Sequence, residues 1–381
     1  MEYRTLGRTG LKVSALGFGG EYLEGKSREQ VKSVIDAVID GGINYIDIFM
    51  SEPNVRTDIG LALKGRRESV YIQGHIGSIF EDGQWTRSRD LAKTRFFFED
   101  LLTRLQTDYI DIGMLHCIDS EEEYHQVFDT EILQYALELK KQGKIHYIGI
   151  STHTPSIAIN AVKTGYVDIV MFSINIAFDF ETGKLNELLE CKPVPGSKLR
   201  MNEERQELYA FCQANNIGLV AMKPLGAGAL LDAGRSPFGK ELSVLACLQY
   251  VIDRPGLTTA VPGFATADEV KEGLRLFTAA PEEKDYSFIL ERSSELKVSG
   301  RCLYCGHCKP CPSHIDIPMV GKLVDLALAG GDSASPTLKG HYDSLSATAD
   351  DCIECEQCLD RCPFEVNIIE MMARARRIFK H

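Results

Sequence analysis

SREQVKSVIDAVIDGGINYIDIF, residues 27–49, sets a helix and a strand end to end. Val31, Val34, Ile35 and Val38 recur at the 3.6-residue spacing of one helix face, and Gly41–Gly42 ends the helix. NYIDIF, at 44–49, then reads as a strand. The same alternation of a short β-rich run with an amphipathic stretch occurs eight times along the chain. The other strand candidates are ALGFGG at 15–20, VYIQGHI at 70–76, YIDIGMLHC at 109–117 and IHYIGIS at 145–151. DIVMFSIN at 168–175, IGLVAMKPL at 217–225 and LTTAVPGF at 257–264 complete the set. Strand–helix alternation points to parallel strands, and eight units predict a closed (β/α)8 TIM barrel. An open doubly wound sheet is the alternative, but no G-x-G-x-x-G follows the first strand. Residues 1–12 read as a short hairpin turning at Gly7–Gly10, and Phe96–Phe98 as a buried helix face.

At 381 residues the chain accommodates one large domain and a smaller one. The pattern changes near 285, which gives an α/β barrel at 1–285 and a small, mostly helical module at 286–381. In that module EEKDYSFILERSSELK, IPMVGKLVDLALAGG and VNIIEMMARARRIFK read as helices. Charged residues make up 25%, an ordinary globular share that excludes a disordered chain. A net charge of −12 argues against nucleic acid and anionic membrane as partners, because both repel such a surface. The basic group Arg374, Arg376, Arg377 and Lys380 reads as a solvated helix end that favours the local dipole. No apolar run approaches a membrane span and the first residues lack a signal core, so a cytoplasmic location is expected.

Cysteine placement carries the redox argument. Cys117, Cys191, Cys212 and Cys247 are scattered and read as core filler. The other eight form two groups, Cys302-x2-Cys305-x2-Cys308-x2-Cys311-Pro312 and Cys352-x2-Cys355-x2-Cys358-x3-Cys362-Pro363. Closely spaced thiols in a reducing compartment favour a shared metal over disulfides. A C-x2-C-x2-C run lets three thiolates wrap one cubane 4Fe–4S cluster. In two-cluster ferredoxins the fourth cysteine, beside a proline, ligates the other cluster. By that rule Cys302, Cys305, Cys308 and Cys362 hold one cluster, and Cys352, Cys355, Cys358 and Cys311 hold the second. Two zinc sites are the competing reading, since paired C-x2-C spacing also suits tetrahedral zinc. The trailing cysteine–proline in both groups favours iron–sulfur. A module this small and polar also needs its metals to hold together.

YRTLGRTGLKVSALGFGG, GGINYIDIF and FFFEDLLTRLQTDYIDIGMLH resemble the aldo-keto reductases over residues 1–280. KPLGAG at 223–228 and VPG at 261–263 fall at that family's seventh and eighth strand ends. With its tail, the whole chain resembles the subfamily that carries a C-terminal 4Fe–4S domain. The resemblance implies carbonyl reduction with a nicotinamide cofactor by an aspartate, a tyrosine, a lysine and a histidine. Asp47 and His116 match the aspartate and the histidine, at strand C-termini where barrel active sites form. The tyrosine position, five residues after the aspartate, holds Glu52, and the lysine position holds His75. The expected catalytic set is therefore Asp47, Glu52, His75 and His116. Cofactor positions carried over in the same way are Ser151, Thr152, Met171, Met222, Pro224, Leu225, Gly226 and Gly263. Thr152, Met171 and Met222 replace the family's asparagine, glutamine and stacking aromatic. Ala265 replaces the base that grips the adenosine 2′-phosphate. Weak nicotinamide binding follows, with NAD(H) favoured over NADP(H) and a flavin left open.

The expectation is an iron–sulfur oxidoreductase acting on a small polar carbonyl or hydroxyl compound, with two 4Fe–4S clusters relaying electrons. A ferredoxin or flavodoxin is the expected kind of donor. Two rivals stand beside it. One is a redox-neutral lyase, dehydratase or isomerase working through Glu52 and His75; the other is an electron-transfer subunit whose barrel does no chemistry.

Overall fold

The computed structural model describes residues 1–179, 202–236, 238, 240–287, 302, 308–329, 334, 336–362 and 366–380. The chain divides into two compact units. One comprises Met1–Glu181, Leu199–Leu225 and Leu242–Glu291; the other comprises Thr182–Lys198, Gly226–Glu241 and Arg292–His381. The last crossing between the units falls at Glu291–Arg292, and Gly226–Glu241, after the seventh barrel strand, belongs to the second unit.

The first unit begins with an antiparallel hairpin, β1 (Tyr3–Thr5) and β2 (Lys12–Ser14). The barrel strands follow as β3 (Phe18–Gly19), β4 (Tyr45–Ile48) and β5 (Tyr71–Ile76). A second hairpin, β6 (Ser78–Glu81) and β7 (Gln84–Arg87), interrupts the alternation. β8 (Ile110–Leu115), β9 (Ile145–Thr152), β10 (Ile169–Ser173), β11 (Gly218–Met222) and β12 (Leu257–Ala260) complete the sheet. The eight barrel strands are parallel and neighbour one another in chain order. Bridges from Leu16 to Ala260 and from Gly19 to Gly263 bring the first strand against the last. All eight expected strands are present, within a few residues of their predicted limits.

The alternation of side chains along each strand explains the interior. Leu6 and Val13 from the first hairpin, with Ile112, Met114, Ile169, Val220 and Val261, form one buried cluster. The barrel is filled, so polar chemistry is left to the strand ends. Helix α1 (Arg28–Asp40) starts with the capping box Ser27–Gln30 and buries the four apolar residues its sequence period selects. α2 (Pro53–Ala62) and α3 (Leu91–Leu105) follow β4 and the second hairpin. The expectation that Phe96–Phe98 form one buried face is incorrect: Phe98 is buried, whereas Phe96 is 65% exposed. Consecutive helical residues diverge by about 100°, so three in a row cannot share a face.

The second unit packs helices Ile317–Ala329, Pro336–Asp343 and Ile368–Ile378. Val320, Val324, Tyr342, Ile368, Met372 and Phe379 make its core, with Tyr342 stacked on Phe379 at 4.2 Å. The Pro336–Asp343 helix is additional to the three that the sequence suggests for this module. Most of the expected helix EEKDYSFILERSSELK lies outside the described residues. Among the described residues no helix is long and apolar enough to cross a membrane.

Candidate active site and cluster ligands

Asp47 on β4, His75 on β5 and His116, just past β8, meet at the C-terminal ends of their strands and are buried. His75 Nε2 lies 3.0 Å from Asp47 Oδ1, and His75 Nδ1 lies 2.8 Å from His116 Nδ1. A carboxylate only accepts, so the His75 Nε2 proton faces Asp47. One proton is then shared between the two Nδ1 atoms. Burial, with the positive Arg89 and Arg87 nearby, holds His116 well below the ordinary histidine range.

Two residues that sequence reasoning passed over extend this chain inward. Tyr45 Oη donates to Gln73 Oε1, which fixes the amide so that Nε2 donates to Asp47 Oδ1. Tyr45 and Asp47, like Gln73 and His75, are two apart on one strand and therefore point the same way. The i, i+2 pairing of polar residues inside buried strands was the available signal. Phe49 is parallel to His116 at 6.1 Å between centroids and meets His75 edge-on. Trp85, from the unforeseen β6–β7 hairpin, packs edge-on against Phe49 at 5.2 Å. That hairpin turns at Asp82–Gly83, both in the left-handed region, which is the turn signature an Asp-Gly pair announces.

Glu52 has a different place from the one expected. It is the N-cap of α2: its carboxylate accepts from Val55 N at 2.6 Å and from Asn54 Nδ2 at 2.9 Å. A helix starting at Pro53 leaves amides without partners, and Glu52 supplies one acceptor. No hydrogen bond joins it to Asp47, His75 or His116 among the described residues.

The cofactor positions are also occupied by protein contacts. Ser151 Oγ accepts from Cys117 N at 2.8 Å, and Thr152 Oγ1 donates to Asp119 Oδ1 at 3.2 Å. Met171 belongs to the barrel core, with its sulfur 3.2 Å from Gln73 Nε2, and Met222 packs against the same core. Pro224 and Leu225 follow β11 in the barrel unit, whereas Gly226 belongs to the second unit. A Cβ on Gly263 would meet the Tyr22 ring at 2.2 Å, so that glycine serves ring packing. In the next loop Ala265 N donates to Glu269 Oε2 at 2.7 Å. Asp268 and Glu269 occupy the first turn of the helix there, next to the amides that would face a phosphate.

A second polar group lies at the ends of β8, β9 and β11. His153 Nδ1 is 3.1 Å from both Asp119 oxygens, and Lys223 Nζ is 2.9 Å from His153 Nε2. Cys117 Sγ donates to Asp119 Oδ2 at 3.3 Å and lies 3.4 Å from Arg87. Cys117 is therefore more than core filler. Cys212 and Cys247 are buried as expected, and Cys191 lies outside the described residues.

In the second unit a shallow recess is lined by Cys352, Cys355, Cys358 and Cys311, with Ile315, Ile317, Ile368 and Met372 as apolar walls. These four thiols are the second set of ligands the crossover rule selects, and an apolar thiol-lined recess suits a cubane cluster. Cys302, Cys308 and Cys362 pack on the same core, and Cys305 lies outside the described residues. A Cβ on Gly321 would come within 3.4 Å of Cys302 Sγ, so the bare glycine keeps space beside that thiol. Arg376 was expected as a solvated helix end. It instead donates to the carbonyls of Cys352 and Ala349 and pairs with Glu354, which ties down the loop of the second group.

A model of the aldo/keto reductase family matches residues 15–244, and a model of the 4Fe-4S dicluster domain matches residues 301–367. The chain belongs to the aldo/keto reductase family. Aldo-keto reductase YhdN of Bacillus subtilis is 29% identical over 324 residues, covering 77% of this chain and 95% of its own. The uncharacterized oxidoreductase YqkF of the same organism is 26% identical, with coverage of 73% and 92%. L-galactose dehydrogenase of Arabidopsis thaliana is 24% identical, with coverage of 73% and 88%. The solved structure of aldo-keto reductase AKR11C1 from Bacillus halodurans, in its holo form, shares the fold. Its TM-score is 0.61 at 24% identity, with coverage of 77% and 97%. The protein is thus an oxidoreductase of this family with an appended 4Fe–4S dicluster domain.

Proposed function

We propose that the barrel interconverts a small polar carbonyl compound and its alcohol, with Asp47, His75 and His116 as the proton-handling chain in place of a tyrosine–lysine pair. The observation that carries this reading is the 2.8 Å contact between the two Nδ1 atoms, backed by the 3.0 Å contact to Asp47. With both rings neutral, His116 Nδ1–H donates to His75, and His116 Nε2 is a base. With one more proton, His75 Nδ1–H donates to His116, and His116 Nε2–H is an acid. A proton delivered from His116 Nε2 to a carbonyl oxygen is replaced at His116 Nδ1 from His75, while Asp47 steadies the His75 ring.

Cys302, Cys305, Cys308 and Cys362, and Cys352, Cys355, Cys358 and Cys311, would hold the two clusters, which supply one-electron transfer when bound. A nicotinamide, NAD(H) rather than NADP(H), or a flavin would supply the two-electron step. The Glu269 carboxylate on Ala265 N and the acidic first turn disfavour an extra phosphate. A ferredoxin- or flavodoxin-type protein is the proposed electron partner, and the cytoplasm the proposed location. The relative named L-galactose dehydrogenase fits a small polyhydroxy substrate.

Anaerobic turnover of candidate carbonyl compounds, driven by NADH, NADPH or reduced viologen, tests the reading. His116→Asn and His75→Ala should each lower turnover about a hundredfold with both clusters retained. Turnover unchanged in both variants would remove the relay. A redox-neutral dehydratase or isomerase remains the second reading, because the same chain moves protons without hydride and Met171 and Met222 offer a nicotinamide no polar or aromatic hold. Product formed without any reductant would decide for it.

A further inference from the structure

We propose that Arg89 is a positioning residue of the proton-handling chain: its guanidinium holds the peptide units on either side of Cys117 and so sets the His116 ring against His75. The inference rests on the His75–His116 relay read above and adds the side chain that keeps the two rings in register.

The backbone that carries His116 runs past the end of β8, where every polar group must find a partner outside the regular ladder. Its amides turn to the neighbouring strands. His116 N donates to Ile76 O at 3.1 Å, Cys117 N to Ser151 Oγ at 2.8 Å and Ile118 N to Ser151 O at 3.0 Å. The carbonyls of His116 and Cys117 are both taken by one side chain. Arg89 Nη1 donates to the first at 2.9 Å, and Arg89 Nη2 to the second at 2.8 Å. Successive carbonyls of an extended strand face opposite sides, out of reach of one guanidinium. Cys117 breaks that alternation with a φ of 47°. A non-glycine residue keeps such a left-handed turn only where its surroundings hold it there. The planar fork of Arg89 does so, with two charge-assisted bonds; a lysine would bring the charge without the fork.

Arg89 is itself fixed from both sides. Ser88 N donates to Gly77 O at 2.8 Å, and Asp90 caps α3 by accepting from Lys93 N at 2.8 Å. A Cβ on Gly77 would come within 3.4 Å of Arg89 Nη1, so the bare glycine leaves the guanidinium its place. Among the described residues Arg89 makes no ion pair, whereas Arg87 pairs with Glu123 at 3.0 Å. The charge of Arg89 therefore serves the His116 turn. It also faces the ring: Arg89 and Arg87 oppose protonation of His116, and Asp119 favours it. The β6–β7 hairpin and the residues that leave it thus hold His116 twice, by Trp85 through Phe49 at the ring and by Arg89 at the backbone. A ring displaced by about 1 Å would lose the contact between the two Nδ1 atoms, and misplacement on that scale lowers rates about a hundredfold.

The test reads the proton between the two rings in the full-length, cluster-loaded protein under argon. A proton held between buried rings exchanges slowly with water and gives a nuclear magnetic resonance far downfield of the amides. Histidine 15N labelling and loss of the signal in His75→Ala assign it. Arg89→Gln should abolish this resonance and lower turnover about a hundredfold. Arg89→Lys, which keeps the charge and is the milder change for folding, should weaken it. Phe98→Leu, a core change on α3, should lower the melting temperature and leave the resonance in place. An unchanged resonance in either Arg89 variant overturns the proposal. So does its loss in Phe98→Leu, which would make the effect one of general stability. Two further outcomes separate this inference from the relay. No downfield resonance in the unaltered protein rejects the relay and this inference with it. A resonance that depends on Arg89 while turnover stays unchanged rejects the relay and leaves the hold on His116 standing.

Discussion

At the scale of single residues, the position of a proton decides what each buried side chain can do. Gln73 holds Asp47 in place because Tyr45 has already fixed which end of the amide faces the carboxylate. Gln73→Leu removes a charge-assisted donor from a buried carboxylate. The expected result is a loss of about 1–3 kcal/mol in stability and a fall in turnover, read by denaturant unfolding and steady-state rates. Glu52→Gln should behave differently. The amide oxygen can still cap α2, so stability should change by less than about 1 kcal/mol and turnover by only a few fold. A hundredfold fall would return Glu52 to the list of proton donors. His116 and His153 are both held neutral by burial, and the sign of their effect follows. Their folded pKa values lie below the unfolded value of about 6.5, so unfolding takes up protons as the pH falls below that value. Stability is then full above about pH 6.5 and declines below it, by at most about 1.4 kcal/mol per pH unit for each histidine. Thermal melts of His116→Asn and His153→Asn between pH 7 and 5 should be flatter than those of the unaltered protein. Equal slopes would show that these rings do not control the acid limb.

Elements set what the residues can reach. The β6–β7 hairpin stands outside the barrel alternation, yet its Trp85 braces Phe49, which lies against both histidines. Helix Ile317–Ala329 offers the cleaner test, because two effects of one substitution have opposite signs there. Replacing Gly321 by alanine favours the helix by about 1 kcal/mol. The same methyl would lie 2.9 Å from Met371 Sδ and 3.4 Å from Cys302 Sγ. Gly321→Ala should therefore weaken the first-group cluster, seen as loss of one paramagnetic signal on reduction with the other intact. Two unchanged signals together with a raised melting point would mean that the helix term alone operates.

For the whole molecule, the two units should respond separately to metal removal. Cys308 and Cys358 are buried in the core of the second unit, and Cys302, Cys311, Cys352 and Cys362 pack against it. Without iron the bonds that tie the two cysteine groups together are lost, and a module this small keeps too little apolar burial to hold together. Anaerobic protein should contain close to eight iron and eight sulfide per chain. Chelation should then abolish the unfolding transition of the second unit and leave that of the barrel near its original temperature. Zinc in place of iron and sulfide, or a single transition that ignores chelation, would contradict this account.

The sequence by itself determined the barrel, because eight repeats of a period-2 run and a period-3.6 run permit few other architectures. It also determined the thiol pattern, since ligand spacing is local and survives without knowledge of the fold. The strand ends that carry Asp47 and His116 were legible, and the structure brings these two residues together through His75. Tertiary structure alone decided which polar groups touch. Gln73 and Tyr45 are ordinary residues of buried strands until adjacent strands come into register and form one hydrogen-bonded line. Asp119, His153 and Lys223 come from three separate strand ends, so no window of sequence could join them. Glu52 shows the reverse case: counting from Asp47 placed it in the active site, while the orphan amides of a helix beginning at Pro53 claimed its carboxylate. Local spacing fixes elements and local ligands, whereas the role of a buried polar group depends on which partner the closed barrel brings within hydrogen-bonding distance.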